Sequence, residues 1–535
     1  MPTLVPQQPP PPDYYAGNVS YLLDEVQRRS GELLGLAEQD FIAAFAAVGT
    51  GARRLFARLL SRSGVWLRID SLRYAEVGNV EVALAELCEA GLVERLPEAP
   101  ADVVLGLLTR AELSAVFPEV RARTKPEWIA RCLSRYPDVL IRTRIARRHP
   151  WIGVCGRRAF ATCQVLFFGG DAQDLTTFVM QDLGIHTYER YPLDDHTRPF
   201  AGRRELERYL LCRRLGVHAR RLDEVPGLAP LILRAAWAPP ASRMEQRARD
   251  RLLNRVGQWH ERRGEFAEAQ DCYGRSTSHP ARERLARLLH RLGDEAGVEA
   301  LLERMQADPW APEEEDFAAR FPGRRRTALP AITTCVLCGA TPPGIERHAL
   351  TLLTSNGGRG WHLENLLPLG LAGLTFWDEI FTPVSGAFSH PFQHGPQDLF
   401  WRDFARARRA ALEARSASLC APGAFEERVR AVFDGKRGVA NRLVHWGAIT
   451  AELLDALLAN VPHEALANLA VHTIGNLHRA RTGFPDLLVI YGPGAWELVE
   501  VKGPTDQLQP AQRVWLGTLE ALSVPARVLR FRAAC

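Results

Sequence analysis

At 535 residues the chain is too long for one compact core, so three or four domains are expected. Hydrophobic residues make up 46% and charged residues 24%, which excludes global disorder, and no apolar run is long enough to span a bilayer. The formal net charge of +5 is mild and does not by itself separate nucleic-acid binding from small-molecule chemistry.

Ten cysteines are scattered along the chain, and only Cys335 and Cys338 form a CxxC. A structural zinc site needs four ligands; even with His348 nearby this set falls one short, so a chance pair of reduced, cytoplasmic thiols is expected. Lysine occurs only at 125, 436 and 502, every other basic residue being arginine. Where arginine serves for generic positive charge, a retained lysine hints at chemistry that the wider guanidinium fork cannot do.

The opening residues 1–13 lack a basic start followed by an apolar stretch, so they read as an extended tail and not a secretory signal. Residues 14–100 read as helices with one short alternating piece at Val65–Ile69 and a helix at 79–91. That pattern fits a winged-helix or helix-turn-helix relative, or a plain helical packing domain. In 101–145, helices are expected at Thr109–Phe117 and Lys125–Leu133, joined by a basic stretch. The pair resembles a SAP module, with Lys125 as a DNA contact, or an ordinary helical hairpin. Residues 146–244 are mixed and Arg-rich and read as a connecting region.

Residues 245–307 carry two helix–Gly–helix patterns, turning at Gly264 and Gly293, with a period of about three dozen residues, as in tetratricopeptide-like repeats. Such repeats bind protein partners, pair two chains into a homodimer, or act as spacers. Residues 308–330 read as a linker from their prolines and the reversal from an acidic run to Arg324-Arg325-Arg326. The triplet could grip DNA phosphates or be a solvated patch.

The richest chemistry lies in 331–535. Two runs rich in Val, Leu and Ile flank Tyr491-Gly492-Pro493-Gly494 and read as a β-hairpin. Asp486 opens the first strand, while Glu500 and Lys502, two apart near the end of the second, share a face. Two carboxylates and an amine on one floor suit phosphodiester hydrolysis with Mg²⁺ or Mn²⁺, which take hard oxygen ligands. An amphipathic helix at 509–522 with Gln512, and a strand at Ala526–Phe531, complete the pattern.

Pro485-Asp486, a hairpin and Glu500-x-Lys502 together resemble the PD-(D/E)xK nuclease superfamily. The run Glu500-Val501-Lys502-Gly503-Pro504-Thr505-Asp506, with Gln512 and Trp515, is similar to its VRR-NUC branch. Upstream, His362-Leu363-Glu364 with Leu374–Phe381, Pro396-Gln397-Asp398-Leu399 and Leu443-Val444-His445-Trp446 resemble Fanconi-associated nucleases. The resemblance implies a multidomain α+β protein. Its N-terminal and middle regions would be largely helical (winged-helix-like, SAP-like and tetratricopeptide-like), and its C-terminal domain a PD-(D/E)xK α/β nuclease. It implies that Glu364, Asp486, Glu500 and the backbone carbonyl of Val501 hold the metal, with Lys502 catalytic and Gln512 in support. It also implies a substrate of branched or flapped DNA, cut near a 5′ flap and digested 5′ to 3′ in repair that includes interstrand crosslinks, and action in the cytoplasm at the nucleoid. On the residues alone Glu364 reads as a solvated or capping acid. A junction-resolving nuclease of the same fold and a catalytically silent DNA-binding scaffold are the alternatives.

Overall fold

The computed structural model describes residues 13–62, 64–170, 187–194, 196–321, 332–337 and 344–533. It divides into two compact units, residues 4–185 and 186–535, apart from the first three residues. Each has its own cores. Among the described residues no helix is long and apolar enough to cross a membrane.

In the first unit the helices α1 (Tyr14–Ser30), α2 (Leu36–Ala47) and α3 (Thr50–Ser61) precede β1 (Trp66–Arg68), α4 (Val80–Glu89) and β2 (Val93–Arg95). Asn79 starts α4 by accepting from the backbone of Glu81 and Val82, as an N-cap should. Four short helices follow, α5 (Ala101–Gly106), α6 (Arg110–Val116), α7 (Lys125–Arg135) and α8 (Asp138–Ala146). They bury Leu113, Phe117, Trp128 and Ile141 in one core. Only α6 and α7 are expected from the sequence; α5 is under two turns long, and the apolar residues of α8 do not favour one face.

The largest departure is β3 (Trp151–Val154), which runs antiparallel between β1 and β2 and forms the centre of a three-stranded sheet. Helix α9 (Arg157–Phe168) follows and packs on α1 and α2. The stretch 146–244 is therefore not one connecting region. Its first part completes the N-terminal sheet, and after residue 186 it contributes helices Arg203–His218 and Leu228–Trp237 to the second unit.

The second unit continues with two helical hairpins, Arg243–Arg262 with Phe266–Arg275 and Ala281–Leu292 with Glu295–Ala307. Gly264 and Gly293 stand at the turns with φ of +77° and +80°, backbone that only glycine adopts without cost. The expected linker 308–330 holds a helix, Pro312–Arg320. Its proline and acidic first turn, read from sequence as a boundary, are equally the signals that start a helix. Buried Glu314 pairs with Arg282 of the repeats at 2.6 Å, while Asp316 accepts two 2.6 Å bonds from Arg513.

The remaining strands are β4 (Ile332–Leu337), β5 (Arg359–His362), β6 (Leu487–Gly492), β7 (Ala495–Lys502) and β8 (Ala526–Ala533). They form a mixed sheet in the order β4-β8-β7-β6-β5, with antiparallel pairs β5–β6 and β6–β7 and parallel pairs β7–β8 and β4–β8. Leu488, Ile490 and Leu498 face a large helical core that includes Trp515 and Leu519 of helix Pro510–Ala521. Leu487, Val489, Val499 and Val501 face a second core around Ala349 of helix Ile345–Thr354. Covering on both faces explains why these strands read as continuous apolar runs.

Candidate active site

The site forms where β5 and β7 end and β6 begins, beside helix Pro510–Ala521. The register Leu487↔Val499 sets Asp486, one residue before β6, opposite Glu500. The Val501 N–H donates to Asp486 Oδ2 at 2.8 Å, fixing that carboxylate against the neighbouring strand. Glu500 and Lys502 leave β7 on the face covered by helix Pro510–Ala521. Glu500 Oε1 accepts from Gln512 Nε2 at 2.6 Å and lies 2.7 Å from Lys502 Nζ.

Gly483 allows this closeness: its φ is +90°, and a Cβ there would come within 2.5 Å of the Ala511 backbone. Phe484, next in line, packs edge-on against Trp515 with ring centres 4.9 Å apart.

Glu364 arrives from a distant stretch of chain. The N–H groups of Leu363 and Glu364 both donate to the Asp486 carbonyl, at 3.0 and 3.1 Å. Glu364 has φ +47°, left-handed backbone that a non-glycine residue occupies only when its surroundings impose it, and that observation marks a functional candidate. Its Oε1 lies 3.1 Å from His362 Nε2. His362, Glu364 and Asp486 each offer a ligand atom, and these atoms lie within 4.8 Å of one another.

Electrostatics set these groups apart from ordinary surface acids. Burial pushes the Glu500 carboxyl up to about 7; Asp486 and Glu364 push the same way, against the pull of Lys502. Burial also raises Asp486, with Glu364 and Glu346 adding repulsion while the Val501 N–H and Lys502 oppose it. Glu500 is 1% exposed, and its Oε2 has no hydrogen-bond partner among the described residues. Such an oxygen, amid three mutually repelling carboxylates, fits a divalent cation: the donors are hard oxygens and the charge to be neutralised is already gathered.

The other expected site residues fall elsewhere. Lys125 starts α7 and donates to the Gly106 carbonyl at 2.7 Å, capping the end of α5. Arg324, Arg325 and Arg326 lie outside the described residues, as does Cys338, while Cys335 sits in β4. Of the three lysines, Lys436 pairs with Glu189 at 2.6 Å and Lys502 alone adjoins the acids.

Sequence reasoning missed three features. Glu346, in the first turn of helix Ile345–Thr354, acts on Asp486. His362 was visible beside Glu364 but carried no assignment. Arginines also gather on adjacent rings, Arg442 and Arg481 over Phe400 at 5.1 and 5.7 Å, and Arg243 and Arg247 over Trp401 at 4.8 and 4.6 Å. Burial, and then neighbouring guanidinium charge, lowers Arg442 and Arg247. Arg243 and Arg247 stand one turn apart on a single helix, but no spacing in the sequence signals that Arg442 and Arg481 meet over Phe400.

Comparison with known proteins adds a second line of observation. Residues 13–94 match the family model described as FAN1, HTH domain, and residues 421–533 match the VRR-NUC domain. The chain is 31% identical over 549 residues to the Fanconi-associated nuclease 1 homolog of Pseudomonas aeruginosa, covering 98% of this chain and 96% of that relative. To the Arabidopsis thaliana homolog it is 27% identical over 610 residues, covering 99% and 68%. The crystal structure of paFAN1 bound to 2-nucleotide 5′-flap DNA with a gap superposes with a TM-score of 0.82 at 28% identity, over 98% of this chain and 99% of that one.

Proposed function

The chain belongs to the Fanconi-associated nuclease family, a metal-dependent DNA phosphodiesterase, and from that premise we propose that it cuts branched DNA at 5′ flaps and digests 5′ to 3′ in repair, including repair of interstrand crosslinks. Glu364, Asp486, Glu500 and the Val501 carbonyl would hold a Mg²⁺ or Mn²⁺ ion. When bound, such an ion polarises the phosphate and makes water a better nucleophile at neutral pH.

The side chains supply the remaining chemistry. Gln512 holds Glu500 in place through Oε1 and leaves Oε2 for the site. The Lys502 amine orients the attacking water or neutralises charge that builds on the phosphoryl oxygens as the P–O bond to the leaving nucleotide breaks. Arg442 and Arg481 over Phe400 supply positive charge for the DNA backbone; neither forms an ion pair among the described residues, so that charge is not spent internally.

The observation that carries this reading is the buried, half-unpartnered Glu500 beside Asp486 and Lys502. The test incubates the full chain with labelled 5′-flap, 3′-flap, splayed-arm and four-way-junction DNA, with Mn²⁺ and with chelator. Metal-dependent cutting of the 5′ flap is expected. Cutting of junctions alone would point to a resolving nuclease, and no cutting of any substrate would leave a silent scaffold.

A further inference from the structure

The cation site contains a donor of a different kind. His362 ends β5, its backbone paired with Leu487 across the sheet, so it stands one register position from Asp486. Leu363 is buried and anchors the segment, and the two N–H groups that follow His362 both bind the Asp486 carbonyl. The ring therefore hangs from backbone that is tied to a carboxylate of the site at two points. Its Nε2 is 3.1 Å from Glu364 Oε1, and a ring nitrogen lies within 4.8 Å of an Asp486 oxygen.

The contact with Glu364 does not account for the histidine. Both side chains are about half exposed, 43% and 54%, and an exposed pair of this kind adds little stability. A ring nitrogen grouped within 4.8 Å with oxygens of two carboxylates, which in turn act on a buried Glu500 whose Oε2 lacks a partner among the described residues, reads as a donor set and not a surface ion pair.

We propose that His362 Nε2 is a nitrogen ligand at this cation site and that it favours first-row transition cations such as Mn²⁺ over Mg²⁺. The proposal rests on the reading that Glu364 and Asp486 hold the cation. Mg²⁺ demands a near-octahedral shell of oxygen and retains its waters, whereas imidazole nitrogen suits transition cations. Without His362 the site is oxygen-only, and little distinguishes the two ions. With it, the bound ion is chosen by chemistry and not only by abundance.

The test is metal binding by the full-length protein, without DNA and independent of activity. Mn²⁺ is titrated by electron paramagnetic resonance, and Mg²⁺ by competition against it, in wild type, His362→Ala, His362→Gln and Asp486→Asn. Both histidine variants should bind Mn²⁺ about tenfold more weakly while Mg²⁺ changes by less than about threefold. Bound Mn²⁺ in wild type should show a nitrogen coupling in electron spin-echo spectra that changes on ¹⁵N-histidine labelling and is lost in both variants. Equal weakening of the two ions, meaning that the ring only steadies Glu364, overturns the proposal, as does bound Mn²⁺ with no histidine nitrogen coupling. Wild-type Mn²⁺ affinity in Asp486→Asn would sink the underlying cation site as well. Lost binding there, with the histidine variants unchanged, sinks the histidine's role alone.

Discussion

Two carboxylates in the second unit lie equally deep, yet only one has both its oxygens paired. Asp398 is 1% exposed, and both its oxygens accept from Arg408, at 2.9 and 3.1 Å, with Arg243 at 3.3 Å. Glu500 is also 1% exposed, but one lysine and one amide share a single oxygen while two further carboxylates act on it. At Asp398 two guanidinium groups match two carboxylates, Asp403 sharing Arg243 at 2.6 Å; at Glu500 carboxylates outnumber the one amine. Burial alone therefore does not mark a functional acid. A deficit of compensating charge does.

The contrast can be broken first at the chemistry. Replacing Asp486 or Lys502 by alanine should lower flap cleavage by at least about a thousandfold, with DNA affinity in a filter or anisotropy assay within a few-fold of wild type. An active Lys502 variant would remove the amine from the mechanism.

Stability should respond in the opposite sense. Asp398→Ala leaves the buried Arg408 uncompensated and should cost about 3–5 kcal/mol in denaturant unfolding. Glu500→Gln, in metal-free protein, should be neutral or stabilising, because it removes a charge the fold holds at a cost. Equal destabilisation by both would erase the distinction.

The pH dependence sharpens it further. The Glu500 carboxyl has an ordinary value of 4.5 and is pushed up to about 7 in the fold. The folded chain therefore keeps a proton that the unfolded chain releases, so this contribution is fully present below about 4.5 and is lost as pH rises through about 7. The melting temperature of metal-free wild type, relative to Glu500→Gln, should fall between pH 5 and 8. A flat difference would contradict the raised value. The smallest effect is expected for Gln512→Ala, which frees Glu500 Oε1 from its amide and should weaken cation binding about tenfold by calorimetry.

Much of the site was legible because it is local. Asp486, Glu500 and Lys502 belong to one hairpin, and strand periodicity alone places the last two on one face. Glu364 was reachable only through family resemblance, since nothing in its spacing reveals that its N–H meets the Asp486 carbonyl. The same limit hid β3, a four-residue strand whose partners lie more than fifty residues upstream. Helix Pro312–Arg320 was misread for another reason: a proline followed by acids both ends a domain and begins a helix. What decided it is long-range, the grip of Arg282 on Glu314 and of Arg513 on Asp316.

The most direct test of cation binding by these acids is anomalous diffraction from crystals of the full chain soaked in Mn²⁺. If Glu364, Asp486 and Glu500 hold the ion, a peak should stand about 2.0–2.6 Å from their carboxylate oxygens and from the Val501 carbonyl. A peak that touches none of the three acids, or no peak at the mouth of the β6–β7 hairpin, would contradict it.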